Sequence, residues 1–169
     1  MAEGVHCEIE RKYLIHYPDV ALLRRQSGCE TWEILQTYLR MGEGGQTRRV
    51  RRVTSDGQTR CFRTFKRMID ALSSEEDEAE ITPQEYRALL EERDPARRPI
   101  SKTRYRIPWA GHTLEFDVYP FWEDRAILEI ELDSEDDAPP LPDYVRVMRD
   151  VSAERAYRNS QLALCVPME

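Results

Sequence analysis

No stretch of this chain stays apolar for the length a transmembrane helix requires, and the N-terminus lacks the basic, apolar and small-residue order of a secretory signal. Neither a membrane partner nor secretion is expected. Cysteine is scarce: Cys7, Cys29, Cys61 and Cys165 are scattered, with no paired metal spacing, and read as reduced thiols of a cytoplasmic protein. Positive charge is not in excess. The 25 Lys and Arg stand against 32 Asp and Glu, and the net charge of -7 argues against specific nucleic-acid binding. There is no internal repeat or low-complexity tract, so solenoids and linkers are also set aside.

What the chain does hold is sorted charge. Its 169 residues, 34% charged and 40% hydrophobic, suit one globular domain over 1–169 with a real core. Alternation and turn residues predict strands near 6–15, 33–41, 47–53, 59–67, 99–109, 112–119 and 125–133. Gly42 to Gly45, Ser55-Asp56-Gly57 and Gly111 supply turns, so most connections are antiparallel hairpins. A short helix opens at Pro18 and ends near Gly28. A second starts at Thr82-Pro83-Gln84-Glu85, where Thr82 caps and Glu85 completes a capping box. The acidic run 71–78 is expected to be mobile or loosely helical, and 143–148 and 153–164 to be closing helices. The prolines of Ala138-Pro139-Pro140-Leu141-Pro142 make a rigid connector.

Side chains of a strand alternate between its faces. Glu8, Glu10 and Lys12 therefore share one face of the first strand. Arg49 and Arg51 share another, Thr64 and Lys66 the next, and Lys102, Arg104 and Arg106 line a third cationic face. Glu78 and Glu80, Glu115 and Asp117, and Glu129 and Glu131 are acidic pairs of the same spacing. The opposite faces of the later strands, Phe116 and Val118, then Leu128, Ile130 and Leu132, are apolar and want a core. An open sheet with these charges in water is one arrangement. Curling into a closed barrel removes exposed edges and gathers the ions in a tunnel. Ions buried that way must be paired or occupied by ligand. A tunnel with an acidic and a basic side suits a polyphosphate with a hard divalent cation.

The run Glu8-Ile9-Glu10-Arg11-Lys12 resembles the E-x-E-x-K signature of the CYTH superfamily, the triphosphate tunnel metalloenzymes, in a short bacterial-type member. The resemblance continues through Gln36-Thr37-Tyr38-Leu39, Arg49-Val50-Arg51, Thr64-Phe65-Lys66, Glu78-Ala79-Glu80, Lys102-Thr103-Arg104-Tyr105-Arg106, Glu115-Phe116-Asp117-Val118, Glu129-Ile130-Glu131-Leu132 and Tyr157-Arg158-Asn159. It implies a mainly β, α+β fold: a closed eight-stranded antiparallel barrel with flanking helices. It implies that Lys12, Arg49, Arg51, Lys66, Arg104 and Arg106 bind phosphates. Glu8, Glu10, Asp117, Glu129 and Glu131 would carry Mg²⁺ or Mn²⁺, supported by Glu78, Glu80 and Glu115. Tyr38 and Lys102 match a pair thought to activate water across the tunnel, with Arg104 and Arg106 depressing the lysine pKa. His6, His16 and His112 match nothing in the family's site and are read as incidental. The aromatic residues Tyr119, Phe121, Trp122, Trp32 and Trp109 are read as core or rim packing.

The implied activity is metal-dependent hydrolysis of a small triphosphate, foremost inorganic tripolyphosphate. A class IV-type adenylate cyclase, a thiamine or nucleoside triphosphatase, and a non-catalytic polyphosphate-binding module remain alternatives, and a homodimer stays open. Arg48 and Arg52 make the outward face of their strand basic, and an acidic partner or the segment 75–80 is expected to meet it.

Overall fold

The computed structural model describes residues 4–167. Its strands are β1 (Gly4–His16), β2 (Glu30–Tyr38), β3 (Thr47–Ser55), β4 (Gln58–Met68), β5 (Ser73–Ile81), β6 (Ile100–Trp109), β7 (His112–Val118), β8 (Arg125–Glu131) and β9 (Val147–Asp150). Helices α1 (Val20–Arg25), α2 (Pro83–Leu89) and α3 (Asn159–Leu162) are short. The sheet runs in the order β5-β4-β3-β2-β6-β7-β8-β1-β9, and β1 also pairs with β5. That last pairing closes eight strands into an antiparallel barrel and leaves β9 as an addition. The barrel is staggered. On one edge, β1 pairs with β5 from Gly4 to Ile9, and β9 takes that edge at Tyr13 to Ile15.

Two hairpins are set by turn chemistry. Asp56 and Gly57 between β3 and β4, and Ala110 and Gly111 between β6 and β7, all have positive φ (51°, 75°, 49° and 77°). Two consecutive left-handed residues match the right-handed twist of the flanking strands, and glycine at the second position adopts this without strain. The helix starts follow the sequence. The Asp19 carboxylate accepts from Leu22 N–H, and Thr82 and Glu85 form the reciprocal capping box.

Three expectations are corrected. Segment 71–78 is neither mobile nor helical, because residues from 73 onward form β5, the strand that closes the barrel. It lacks an apolar face and draws its stability from cations on its neighbours. Glu75, Glu76, Asp77 and Glu78 lie 4.0, 3.8, 3.5 and 2.9 Å from Arg67, Lys66, Arg63 and Arg51. Residues 143–148 contain no helix, since Val147–Asp150 is strand β9 on the free edge of β1. The region 153–164 holds a 3-10 turn and the single turn α3 in place of a full helix. The second strand also begins earlier than expected and ends at Tyr38, with Leu39 in a lone bridge to Arg93.

Apolar clusters cover the outside of the barrel and also fill parts of its interior, where Ile34, Val53 and Phe62 pack with Trp32, leaving the rest of the interior to charge. Leu23 of α1 packs with Ile15, Tyr105, Ile107, Leu114, Phe116, Leu128 and Ile130 on the outer face of β1, β6, β7 and β8. Tyr86 of α2 covers Leu39, Val50 and Cys61 on the opposite flank. At one end of the barrel the C-terminal segment adds Val151, Tyr157, Leu162 and Ala163 to Leu14, Tyr38, Ile100, Tyr119, Trp122 and Ile127. Tyr119 and Trp122 are thus core, as anticipated, whereas Phe121 is 39% exposed. Arg48 meets Glu92, an acid outside segment 75–80, at 3.1 Å.

Candidate active site

The barrel encloses a cavity of about 760 Å³. Strand alternation puts Glu8, Glu10 and Lys12 from β1, Arg49 and Arg51 from β3, Thr64 and Lys66 from β4, and Glu76 and Glu78 from β5 on its wall. Arg104 and Arg106 from β6, Glu115 from β7 and Glu129 and Glu131 from β8 complete it. Because β7, β8, β1 and β5 are neighbours in the closed sheet, as are β4, β3, β2 and β6, the charges fall into two arcs. One arc is acidic except for Lys12, and the other is basic. Ion pairs form where the arcs meet. Arg51 donates to Glu78 (2.9 Å) at the β5 side. At the other seam, Arg104 donates to Glu115 (3.1 Å) and Arg106 also donates to Glu115 (3.1 Å).

Away from the seams the acidic arc is undercompensated. Burial, and then Glu129, push the Glu10 carboxyl up to about 7 against the pull of Lys66 and Lys12. Burial raises Glu8 as well, despite Lys66 at 3.4 Å. Burial, then Glu8 and Glu115, raise Glu131. Glu129 behaves oppositely: burial opposes its ionisation, yet Lys12, Arg104 and Lys102 hold it well below the usual carboxylate range. Glu8, Glu10 and Glu131 are three oxygen donors on one arc whose burial the nearby Lys66 and Lys12 do not offset. That is the chemistry a hard divalent cation with oxygen preference satisfies. On the basic arc, burial and Arg49 lower Arg51, and the Nε atoms of Arg49 and Arg51 are buried without a hydrogen-bond partner. Buried donors of this kind are costly unless a ligand accepts from them.

No family model matches the chain, and no curated protein matches it. Solved structures do. The inorganic triphosphatase NE1496 is 26% identical over 95% of this chain and 99% of its own, with a TM-score of 0.57. The chain shares the barrel fold of this triphosphatase along nearly its whole length. The protein PH1819 from Pyrococcus horikoshii OT3 shares the fold at 21% identity and a TM-score of 0.59, covering 76% of this chain and 80% of that one. HpAC1 from Hippeastrum, whose description names a dominant triphosphatase activity, shares it at 20% identity and 0.50, covering 75% and 80%.

Within the barrel most of the residues singled out by sequence converge, but three do not line the cavity. Asp117 points inward on the same face as Glu115 but is fully buried in the barrel interior beyond the cavity. Its Oδ2 accepts from Lys102 Nζ and Arg104 Nη2, each at 2.8 Å, and its Oδ1 from Arg104 Nε at 2.7 Å. Both oxygens are therefore engaged by cations, a different role from the metal ligand anticipated. Lys102 is 2% exposed and sits in the same buried cluster. Burial pushes its ammonium down to about 8, with Asp117 opposing and Arg104 assisting. The anticipated pairing with Tyr38 is not formed. The Tyr38 hydroxyl instead accepts from Gln36 Nε2 at 3.3 Å, and among the described residues no hydrogen bond links Tyr38 to Lys102. Glu80 lies beyond the cavity at the rim, where Arg60 Nε donates to it at 3.0 Å.

Other wall residues were not picked out beforehand. Glu76 is 8% exposed and lines the cavity, two residues before Glu78. Extending the Glu78–Glu80 alternation back by one step would have found it, had 71–78 been read as a strand. His6, read as incidental, also lines the cavity, whereas His112 lies outside it with Nε2 3.2 Å from Asp137. Trp32 lines the far end of the cavity, with the Arg106 guanidinium 4.3 Å from its ring. Arg155 and Arg158, from the C-terminal segment, reach the cavity with no motif of charge alternation to announce them.

Proposed function

We propose that this protein hydrolyses a linear triphosphate, inorganic tripolyphosphate, to pyrophosphate and phosphate with a divalent metal, Mg²⁺ or Mn²⁺. One observation carries the reading: a single cavity in which buried arginines with unpartnered donors face carboxylates that burial and one another hold reluctant to ionise. A polyanion satisfies the first group and a cation the second, and a metal–triphosphate complex brings both. The NE1496 triphosphatase shares the fold along nearly its whole length, which supports the same class of reaction here.

Lys12, Arg49, Arg51, Lys66, Arg104 and Arg106 would hold phosphate oxygens, the arginines bidentately where their forks are free. Glu8, Glu10 and Glu131 would hold the metal, and Glu129 would join them at the cost of its contacts to Lys12 and Arg104. A divalent ion there would supply neutralisation of the phosphate charge, which is most of what phosphoryl transfer asks of a protein. Asp117 then acts as a positioning residue, fixing Arg104 at the tunnel wall. Lys102, with its ammonium near 8, is the amine suited to take a proton from water at neutral pH. It would reach the cavity by releasing Asp117, with Tyr38 guiding its approach.

The test is a product assay. Pure protein with Mg²⁺ or Mn²⁺ is given tripolyphosphate, ATP, GTP or thiamine triphosphate, and phosphate, pyrophosphate and cyclic nucleotide are followed. Phosphate released from tripolyphosphate much faster than from the nucleotides is the expected result. Cyclic AMP with pyrophosphate would move the protein to the cyclases, and binding without turnover would make it a polyphosphate-binding module.

A further inference from the structure

The C-terminal segment is tied across one end of the barrel by backbone contacts. Val151 N–H donates to Lys12 O, and Arg98 N–H to Ala163 O, each at 2.9 Å. The segment sets Ser152, Arg155, Arg158 and Asn159 on the cavity wall, which Met41 and Gly44 of the β2–β3 loop, Met68 at the end of β4 and Leu72 of the β4–β5 turn also line. Every carboxylate that lines the cavity comes from a barrel strand, and none comes from this mouth. Three other arginines at the mouth are spoken for. Arg48, Arg67 and Arg97 pair with Glu92, Glu75 and Asp94. Arg155 and Arg158 are not. Among the described residues neither has a carboxylate in ion-pair contact, and the charge that Arg158 feels is the like charge of Arg155. Arg155 is exposed and Arg158 half-buried at the mouth, and an anion between two such neighbouring arginines relieves their mutual repulsion.

We infer that Arg155 and Arg158 form an outer anion subsite at the tunnel mouth that engages phosphate beyond the third, so that linear polyphosphates of four or more phosphates bind better than tripolyphosphate. The inference rests on the tunnel holding a polyphosphate, as proposed above. A triphosphate gripped by the strand cations leaves the mouth arginines unused. One further phosphate adds charge-assisted hydrogen bonds to them, enough for about a tenfold gain in affinity.

Equilibrium binding of tripolyphosphate and tetrapolyphosphate, measured by calorimetry in EDTA so that metal-dependent turnover does not intervene, tests this. The natural chain is expected to bind tetrapolyphosphate about tenfold more tightly. The Arg155→Ala/Arg158→Ala variant is expected to bind both equally, with its tripolyphosphate affinity within about twofold of the natural chain. Arg155→Lys/Arg158→Lys should keep part of the preference, because charge is retained while the fork is lost. Tripolyphosphate binding without a tetrapolyphosphate preference, or a preference that survives the double alanine variant, overturns the mouth subsite and leaves the tunnel reading standing. Failure of both ligands to bind in EDTA, together with no metal-dependent phosphate release in the product assay, overturns the two together.

Discussion

Replacing Glu10 by Gln should make the metal-free protein more stable and weaken the proposed metal binding. Glu10 titrates near 7 in the folded chain, against an ordinary 4.5. Between those values the folded state binds more protons than the unfolded, so the natural protein loses stability as pH rises from about 4.5 to 7. Linkage puts the cost of ionised Glu10 at about 3 kcal/mol at pH 8 and about 1 kcal/mol at pH 5. Glutamine keeps the size and removes the charge. In EDTA at pH 8, Glu10→Gln should raise the unfolding free energy by up to about 3 kcal/mol, and at pH 5 the gain should shrink to about 1 kcal/mol or less. Urea unfolding curves with an unchanged slope give the comparison directly. Mg²⁺ should then stabilise the natural protein more at pH 8 than at pH 5, and Glu10→Gln at neither, since a ligand that binds only the folded state adds stability. Equal stabilities of the two proteins at pH 8, or equal stabilisation of both by Mg²⁺, would refute the reasoning.

Asp117→Asn leaves Lys102 and Arg104 buried without their shared anion and should destabilise by about 3–5 kcal/mol, read from the urea midpoint. In the product assay, turnover should rise with pH through about 8 as Lys102 loses its proton. Lys102→Met should abolish that limb of the pH profile, and a profile unchanged by the substitution would remove the lysine from the mechanism. Tyr38→Phe should lower turnover more than substrate binding, and full activity would show that its hydroxyl plays no part. Thr82→Ala removes the helix cap on Glu85 N–H and should cost about 1 kcal/mol without changing turnover.

The inward set was legible because a strand enforces a period of two. Glu8, Glu10 and Lys12, Arg49 and Arg51, Arg104 and Arg106, and Glu129 and Glu131 each reach the cavity on that ground alone. The capping box at Thr82 and the turns at Gly57 and Gly111 were equally local, and the structure has them. Strand β5 was missed because its alternation is charge against charge. Strand propensity is read from apolar faces, and the faces of β5 are made good only by Arg51, Arg63, Lys66 and Arg67 on strands it has yet to meet. The closing segment was misread for a similar reason: Val147–Asp150 becomes a strand because β1 offers it an unpaired edge.

The amino-acid order by itself determined which side chains share a strand face, since alternation is a property of the extended backbone. It did not determine which strands are neighbours. Only closure of β1 onto β5, and insertion of β6 between β2 and β7, put the acids of β7, β8, β1 and β5 on one arc and the cations of β3, β4 and β6 on the other. That same closure buried Asp117 and Lys102 in the interior against Arg104 and brought Arg155 and Arg158 to the mouth. Burial and charge proximity depend on residues far apart in the chain, so the pKa of Glu10 and the engagement of Asp117 exist only in the folded barrel.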